Sequence, residues 1–257
     1  MDSCRSKAAT KAKNKYNAQN YDSLRIVVPK GRKAEILAVA EAAGVSLNGY
    51  VSKAVEERII SAEQRKDRTY TLIGGVNGTG KSSFTGVLTT QVMDLGVVID
   101  VDRITANAGV APIEGGKIAL RRISECLEKG VSFTQETTLS GHRVESTAIN
   151  ARAKGYYVRL YYIGLDTPEE CLKRIENRVA RGGHSISGDD VYRRFAGRWN
   201  AVMRILPHCD EARFFDNDNG FVEVAEYRNG ELVLKGDALP AWAQELTLVH
   251  QGRKGNT

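Results

Sequence analysis

Residues 74–84 read GGVNGTGKSSF, and they fit G-x-x-x-x-G-K-[ST] with Gly75, Gly80, Lys81 and Ser82 at the fixed places. An apolar run, YTLIG, precedes the stretch and a helical pattern, SSFTGVLTTQVMDLG, follows it, so it belongs on a strand-loop-helix turn. Glycines there let backbone N–H groups curl inward toward phosphate oxygens, and the helix that starts there adds partial positive charge. Gly75, Asn77, Gly78, Thr79, Gly80, Lys81, Ser82 and Ser83 are therefore the candidates for holding a nucleotide, with ATP and Mg²⁺ as the expected cofactors. Lys81 would reach the β- and γ-phosphates, and Ser82 would be the metal ligand.

The loop alone does not name the reaction. No guanine-reading N-K-x-D occurs. LSGH at 139–142 resembles a transporter ATPase signature but lacks the following Gly-Gln. A motor ATPase would carry an acidic pair on a later strand, whereas VVIDVD (97–102) directly follows the loop helix. A small-molecule kinase needs a carboxylate for the acceptor's proton, a polar group to fix the acceptor, and lid arginines against transferring charge. Asp100 and Asp102, read as ending the strand next to the loop, supply the first, with Asp102 preferred as base. Glu136 and Thr137, in FTQETTLSG, supply the second. Arg178, Arg181, Arg193 and Arg194 surround RGGHSISGDD, a polar glycine-containing segment suited to a lid.

The elements that must position these groups alternate from Thr69 onward. Strands are expected at 69–73, 97–101, 131–135, 156–163 and 211–215, with amphipathic helices over 116–129 and 167–180. Thr167, Pro168 and Glu170 form an N-cap, a first-turn proline and a capping-box partner. FVEVAEYRNGELVLKG reads as an added hairpin turning at Asn229–Gly230. The fold class is α/β, a doubly wound parallel sheet with helices on both faces and ligands at the strands' carboxyl ends.

With 257 residues, 42% hydrophobic and 26% charged, the chain suits one or two ordinary globular domains. No apolar run approaches membrane-spanning length, no signal-peptide core opens the chain, and the four cysteines are scattered. A cytoplasmic location is expected. The net charge of +6 is uneven: residues 1–65 hold 12 Lys/Arg against 7 Asp/Glu, and the rest is nearly balanced. Four segments follow: a basic arm (1–20), a strand-helix-helix unit (21–60), a polar linker (61–68) and the nucleotide-binding domain (69–257). In the second, SLRIVVP alternates, GRKAEILAVAEAAG places Ile36, Leu37 and Ala40 on one face, and Ser46 caps a helix bearing Leu47, Val51, Val55 and Ile59. So small a unit cannot close its own core and should dimerise or dock.

That unit resembles the ribbon-helix-helix family, which pairs strands from two chains and lays the ribbon in the DNA major groove. The resemblance implies a homodimer, with Ser23, Arg25 and Val27 facing bases. The loop together with VVIDVDR, FTQETTLSG, RVARGGHSI and RRF resembles the zeta-toxin-like kinases over about residues 69–217. These phosphorylate UDP-N-acetylglucosamine with ATP. The resemblance implies that Lys81 holds the phosphates, Asp102 is the base, Glu136 binds the acceptor and Arg178 stabilises transferring charge. The second lid arginine of that family has no counterpart at GGHSI, and Arg181 or Arg194 stands in. A ribbon-helix-helix unit is common in antitoxins, so the chain would join a toxin-like and an antitoxin-like module. Two alternatives remain open: a DNA-binding regulator with an ATP switch, and a housekeeping kinase with another acceptor.

Overall fold

The computed structural model describes residues 22, 24–66, 68–91, 94–183 and 185–254, without the side chains of 57–66 and 254. The expected basic arm and Ser23 lie outside them. The chain divides into two compact units, Met1–Arg58 and Ile59–Thr257.

In the first unit, residues 24–29 form no strand within the chain. Helix α1 (Arg32–Ala42) follows, then α2 (Leu47–Lys66), whose residues from Ile59 onward fall in the second unit. The Ser46 hydroxyl accepts from the Gly49 N–H at 3.1 Å, which caps α2. The polar segment from 61, read as a linker or as an extension of the helix, is helical through Lys66, because SAEQRK holds good helix formers and neither Gly nor Pro. Ala40 is the one buried residue of this unit among the described side chains.

The second unit is built on one seven-stranded sheet in the order β2-β3-β1-β4-β5-β6-β7. The strands are β1 (Thr69–Gly74), β2 (Val97–Ile99), β3 (Phe133–Thr137), β4 (Tyr157–Gly164), β5 (Glu211–Asp216), β6 (Val222–Arg228) and β7 (Glu231–Leu234). The first five run parallel, and β6 and β7 add an antiparallel hairpin. Its turn is at Asn229–Gly230, both with positive φ (54° and 83°), as a tight hairpin requires. The helices are α3 (Lys81–Thr90), α4 (Val101–Ala108), α5 (Pro112–Lys129), α6 (Arg143–Ala153), α7 (Pro168–Val179), α8 (Gly188–Ala196), α9 (Arg198–Ile205) and α10 (Ala241–Lys254).

Each face of the sheet has its own core. On one, Tyr70, Leu72, Phe133 and Leu160 pack with Ile123 of α5, Ala148 of α6, Trp199 of α9 and Trp242 of α10. On the other, Ile73, Tyr161 and Ile163 pack with Phe84 and Leu88 of α3. The Phe84 ring meets Tyr161, Phe215 and Phe221 at centroid distances of 4.7–5.7 Å, which fixes the helix that begins at the phosphate loop.

Two expectations need correction. The strand expected over 97–101 stops at Ile99, and β3 lies between β2 and β1, so the Asp100–Asp102 segment does not end the strand beside the loop. Asp100 is instead the N-cap of α4: its Oδ1 accepts from the backbone N–H groups of Asp102 and Arg103, which starts a helix at once. The proposed lid segment also shortens, because Ser187 caps α8 through the Asp190 N–H and places Gly188 in the helix. Among the described residues no helix is long and apolar enough to cross a membrane.

Candidate functional site

β1 ends at Gly74 and delivers the chain into the loop. Gly75, Gly78 and Gly80 hold φ of 149°, 88° and 99°, values that a side chain resists. A Cβ on Gly75 would lie 2.5 Å from the Ile163 carbonyl oxygen, and one on Gly78 would collide with the Cys171 carbonyl of α7. The loop is therefore wedged between the end of β4 and the first turns of α7. Gly80 caps α3 with no side-chain hydrogen bond, so the first N–H groups of α3 stay open toward the cavity.

Lys81 Nζ donates to the Val76 carbonyl at 3.0 Å. Burial pushes its pKa down to about 8, against the pull of Glu136, Asp102, Cys171 and Asp100. Glu136 accepts from the Ser82 hydroxyl (2.8 Å) on one oxygen and from the Thr85 hydroxyl (2.6 Å) on the other. Burial raises its pKa, and Asp100 adds to that, while the two hydroxyls and Lys81 lower it.

One cavity of about 560 Å³ gathers most of the candidates: Asn77, Gly78, Gly80, Lys81, Ser82, Ser83, Asp100, Asp102, Glu136, Thr137, Arg178 and Arg194. Gly75 and Thr79 do not line it; the Thr79 hydroxyl turns inward to the Val76 carbonyl at 2.9 Å. Arg181 does not line it either, and sits in an adjoining notch with Gly182 and Gly183. Arg194 of α8 donates to Asn77 Oδ1, so that arginine is tied to the phosphate loop. Thr137 Oγ1 accepts from the Leu139 N–H at 3.0 Å and shapes the turn after β3. Arg25 and Val27 are exposed in the other unit.

Gln135, Arg174 and Asn217 are among the lining residues that sequence reasoning did not select. Arg174 donates to the carbonyls of Asn217 (2.5 Å) and Asp218 (3.2 Å), and Asn217 Nδ2 donates to the Thr79 carbonyl at 2.8 Å. The loop after β5 is thereby strapped to both α7 and the phosphate loop. The available signal was FDNDNG, a run of turn-forming polar residues closing a buried parallel strand.

The residues fit a nucleotide with its metal. The half-buried Lys81 ammonium has a single hydrogen-bond partner among the described residues, a backbone carbonyl, and open helix N–H groups lie beside it. Among the described residues no cluster of three or more His, Cys, Asp or Glu forms a metal cage. Mg²⁺ would take one protein oxygen, that of Ser82, and complete its shell from phosphates and water.

The AvrRxo1-ORF1:AvrRxo1-ORF2 complex solved with ATP is similar in structure, with a TM-score of 0.53 at 15% identity over 90% of this chain and 92% of that one. The native form of that complex gives 0.51 at 16% identity over 75% and 78%. The PezAT toxin-antitoxin system of Streptococcus pneumoniae gives 0.47 at 18% identity over 79% and 95%. At these identities the two AvrRxo1 structures show a shared fold. No family model matches the chain. A Haemophilus influenzae protein, described as uncharacterized, is 35% identical over 126 residues, 47% of this chain and 88% of that protein. The chain belongs to the family of that Haemophilus influenzae protein.

Proposed function

We propose that the chain is an ATP-dependent kinase of a small molecule, of the zeta-toxin type. The supporting observation is one cavity whose lining brings together Lys81, Ser82, Asp102, Glu136, Arg178 and Arg194. ATP is chosen as nucleotide with the support of the AvrRxo1 structure that holds it. Lys81 and the loop N–H groups bind the β- and γ-phosphates. Glu136 fixes the Ser82 hydroxyl, whose oxygen would hold Mg²⁺. The metal, when bound, neutralises phosphate charge. Asp102 aligns the acceptor hydroxyl and takes its proton. Asp100 is poorly suited to that work because its Oδ1 already accepts two backbone N–H bonds, while the Asp102 carboxylate is exposed and without a hydrogen bond or ion pair among the described residues. Arg178 and Arg194 stabilise charge on the transferring group.

UDP-N-acetylglucosamine is the first acceptor to test, by resemblance to the zeta toxins. The first unit is proposed as a ribbon-helix-helix module that dimerises and acts as an antitoxin-like restraint. Its support is a groove of about 1090 Å³ whose lining includes Leu24, Ile26, Val28, Ile36, Leu47 and Val51. A second reading, a DNA-binding regulator with an ATP switch, has its support in the exposed Arg25 and the basic excess of that quarter. The deciding experiment is mass spectrometry of a metabolite extract incubated with the protein, ATP and Mg²⁺. A metabolite gaining one phosphate identifies the acceptor. ATP binding with no product, beside a salt-dependent gel shift with DNA, favours the regulator.

A further inference from the structure

The alternation of β3 sends Gln135 and Glu136 to opposite faces of the sheet. Glu136 goes toward α3, where it meets Ser82 and Thr85. Gln135 follows Phe133 to the other face, in register with Leu72 of β1 and Ile99 of β2. The Tyr70 hydroxyl donates there to Gln135 Oε1 at 2.5 Å. Tyr70 is completely buried, and its ring stacks on Phe133 at 4.4 Å between centroids. A buried phenol proton needs an acceptor, and Gln135 Oε1 is its one acceptor among the described residues. That sets the amide orientation: Oε1 turns to Tyr70, and Nε2 is left with two N–H donors and no partner among the described residues. Gln135 lines the same cavity as Asp102.

We propose that Gln135 recognises the phosphate acceptor, and that Tyr70 is the positioning residue that aims its amide. The inference rests on the kinase reading and narrows its substrate class. The acceptor carries, beside the reacting hydroxyl, a second oxygen that accepts a hydrogen bond, as in a sugar or polyol derivative. In the transfer, the hydroxyl proton goes to Asp102, the acceptor oxygen bonds to the γ-phosphorus, and the bond to the bridging oxygen breaks to release ADP. Gln135 takes no proton; it holds the neighbouring oxygen so that the reacting hydroxyl faces the phosphate.

The test measures ADP release by the full chain with two probes, UDP-N-acetylglucosamine and the small-molecule fraction of a bacterial extract. Gln135→Leu should raise the half-saturating concentration of the active probe at least about tenfold and leave the KM for ATP within about twofold. Tyr70→Phe keeps the ring stack and removes only the hydroxyl, so it should move the acceptor constant in the same direction by about threefold. The double variant should be no worse than Gln135→Leu, because Tyr70 acts through Gln135. Unchanged acceptor dependence in folded Gln135→Leu overturns the role of Gln135. Additive losses in the double variant, or a matching rise in the KM for ATP, show a structural role for Tyr70 and overturn the positioning claim. If the wild type transfers phosphate to neither probe, the kinase reading falls and this inference with it.

Discussion

Beyond Ile59, Tyr70, Phe133 and Trp242 are almost wholly buried, whereas before Arg58, Leu24, Ile26 and Val27 are 83%, 58% and 80% exposed. The two regions differ because of size and sheet. A seven-stranded sheet with helices on both faces closes two cores and still leaves its strand ends to build a cavity. Two helices and an extended segment cannot do this at their length. On the proposed reading the larger unit holds its chemistry within one chain, and the smaller one leaves its apolar residues for a second copy to cover. Substitutions at the cavity should leave the smaller unit's association untouched, and substitutions in the smaller unit should alter transfer only by lifting the proposed restraint; any other crossed effect would break the comparison.

The largest effect is expected at Asp102. Asn keeps the size and one acceptor oxygen but cannot take a proton. Asp102→Asn should slow transfer at least about a hundredfold and leave ATP affinity and oligomeric state unchanged. If Asp100→Asn abolishes transfer while Asp102→Asn does not, the capping role of Asp100 was misweighed and the base is Asp100. A change in oligomeric state would show that the two regions are coupled.

Lys81→Ala should weaken ATP at least about tenfold by calorimetry. The pH dependence has two opposite signs. Because the folded-state pKa is about 8 against 10.5 for the free amine, the unfolded chain holds a proton between those values that the folded chain does not. The ligand-free protein should thus gain stability, relative to Lys81→Ala, as pH rises from about 8 toward 10.5. ATP affinity should fall over the same range, because the ammonium is what the phosphates meet. Parallel rather than opposed trends would show that Lys81 is not the titrating group.

The smaller unit gives the next effect. Ile26→Asp places a charge in the proposed dimer surface, and by light scattering it should weaken association at least about tenfold. Transfer per chain should rise if the smaller unit restrains the larger through its dimer, and hold steady if the larger unit works alone. A wild type that is monomeric at every concentration removes the proposed ribbon, and a loss of transfer equal to the loss of dimer ties the site to assembly.

What the sequence discloses about these regions follows from how local the physics is. The loop, the Thr167 capping box and the Asn229–Gly230 turn are legible because neighbours along the chain satisfy them. VVIDVD misleads because its valines favour a strand, while the helix that begins at Val101 depends on Asp100 turning its carboxylate onto two following N–H groups. Gln135 and Arg174 are illegible for a different reason, and Asn217 shows only as part of the polar turn FDNDNG. Strand register, the rotation of α7 and the strap after β5 bring them to the cavity, and their partners stand 43 to 138 positions away along the chain. The first unit is the extreme case, since what would complete its core is not in the chain at all if a second copy supplies it.

The smallest effect tests how α7 is held. Thr167 Oγ1 accepts from the Glu170 N–H at 3.3 Å, and the Glu170 carboxylate accepts from the Thr167 N–H at 3.1 Å. Together they settle two of the donors that a helix leaves open at its start. α7 carries Arg174 and Arg178 into the cavity and meets Gly78 through the Cys171 carbonyl, so its first turn sets where those arginines stand. Thr167→Ala should cost about 1 kcal/mol, seen as a few degrees in Tm. Ser at the same position keeps an acceptor oxygen and should restore most of it. Transfer should fall only modestly, because the buried Cys171 and Ile175 still seat the helix. If Thr167→Ala abolishes transfer with Tm unchanged, the threonine touches a ligand, and the chemistry reaches further along α7 than its cap.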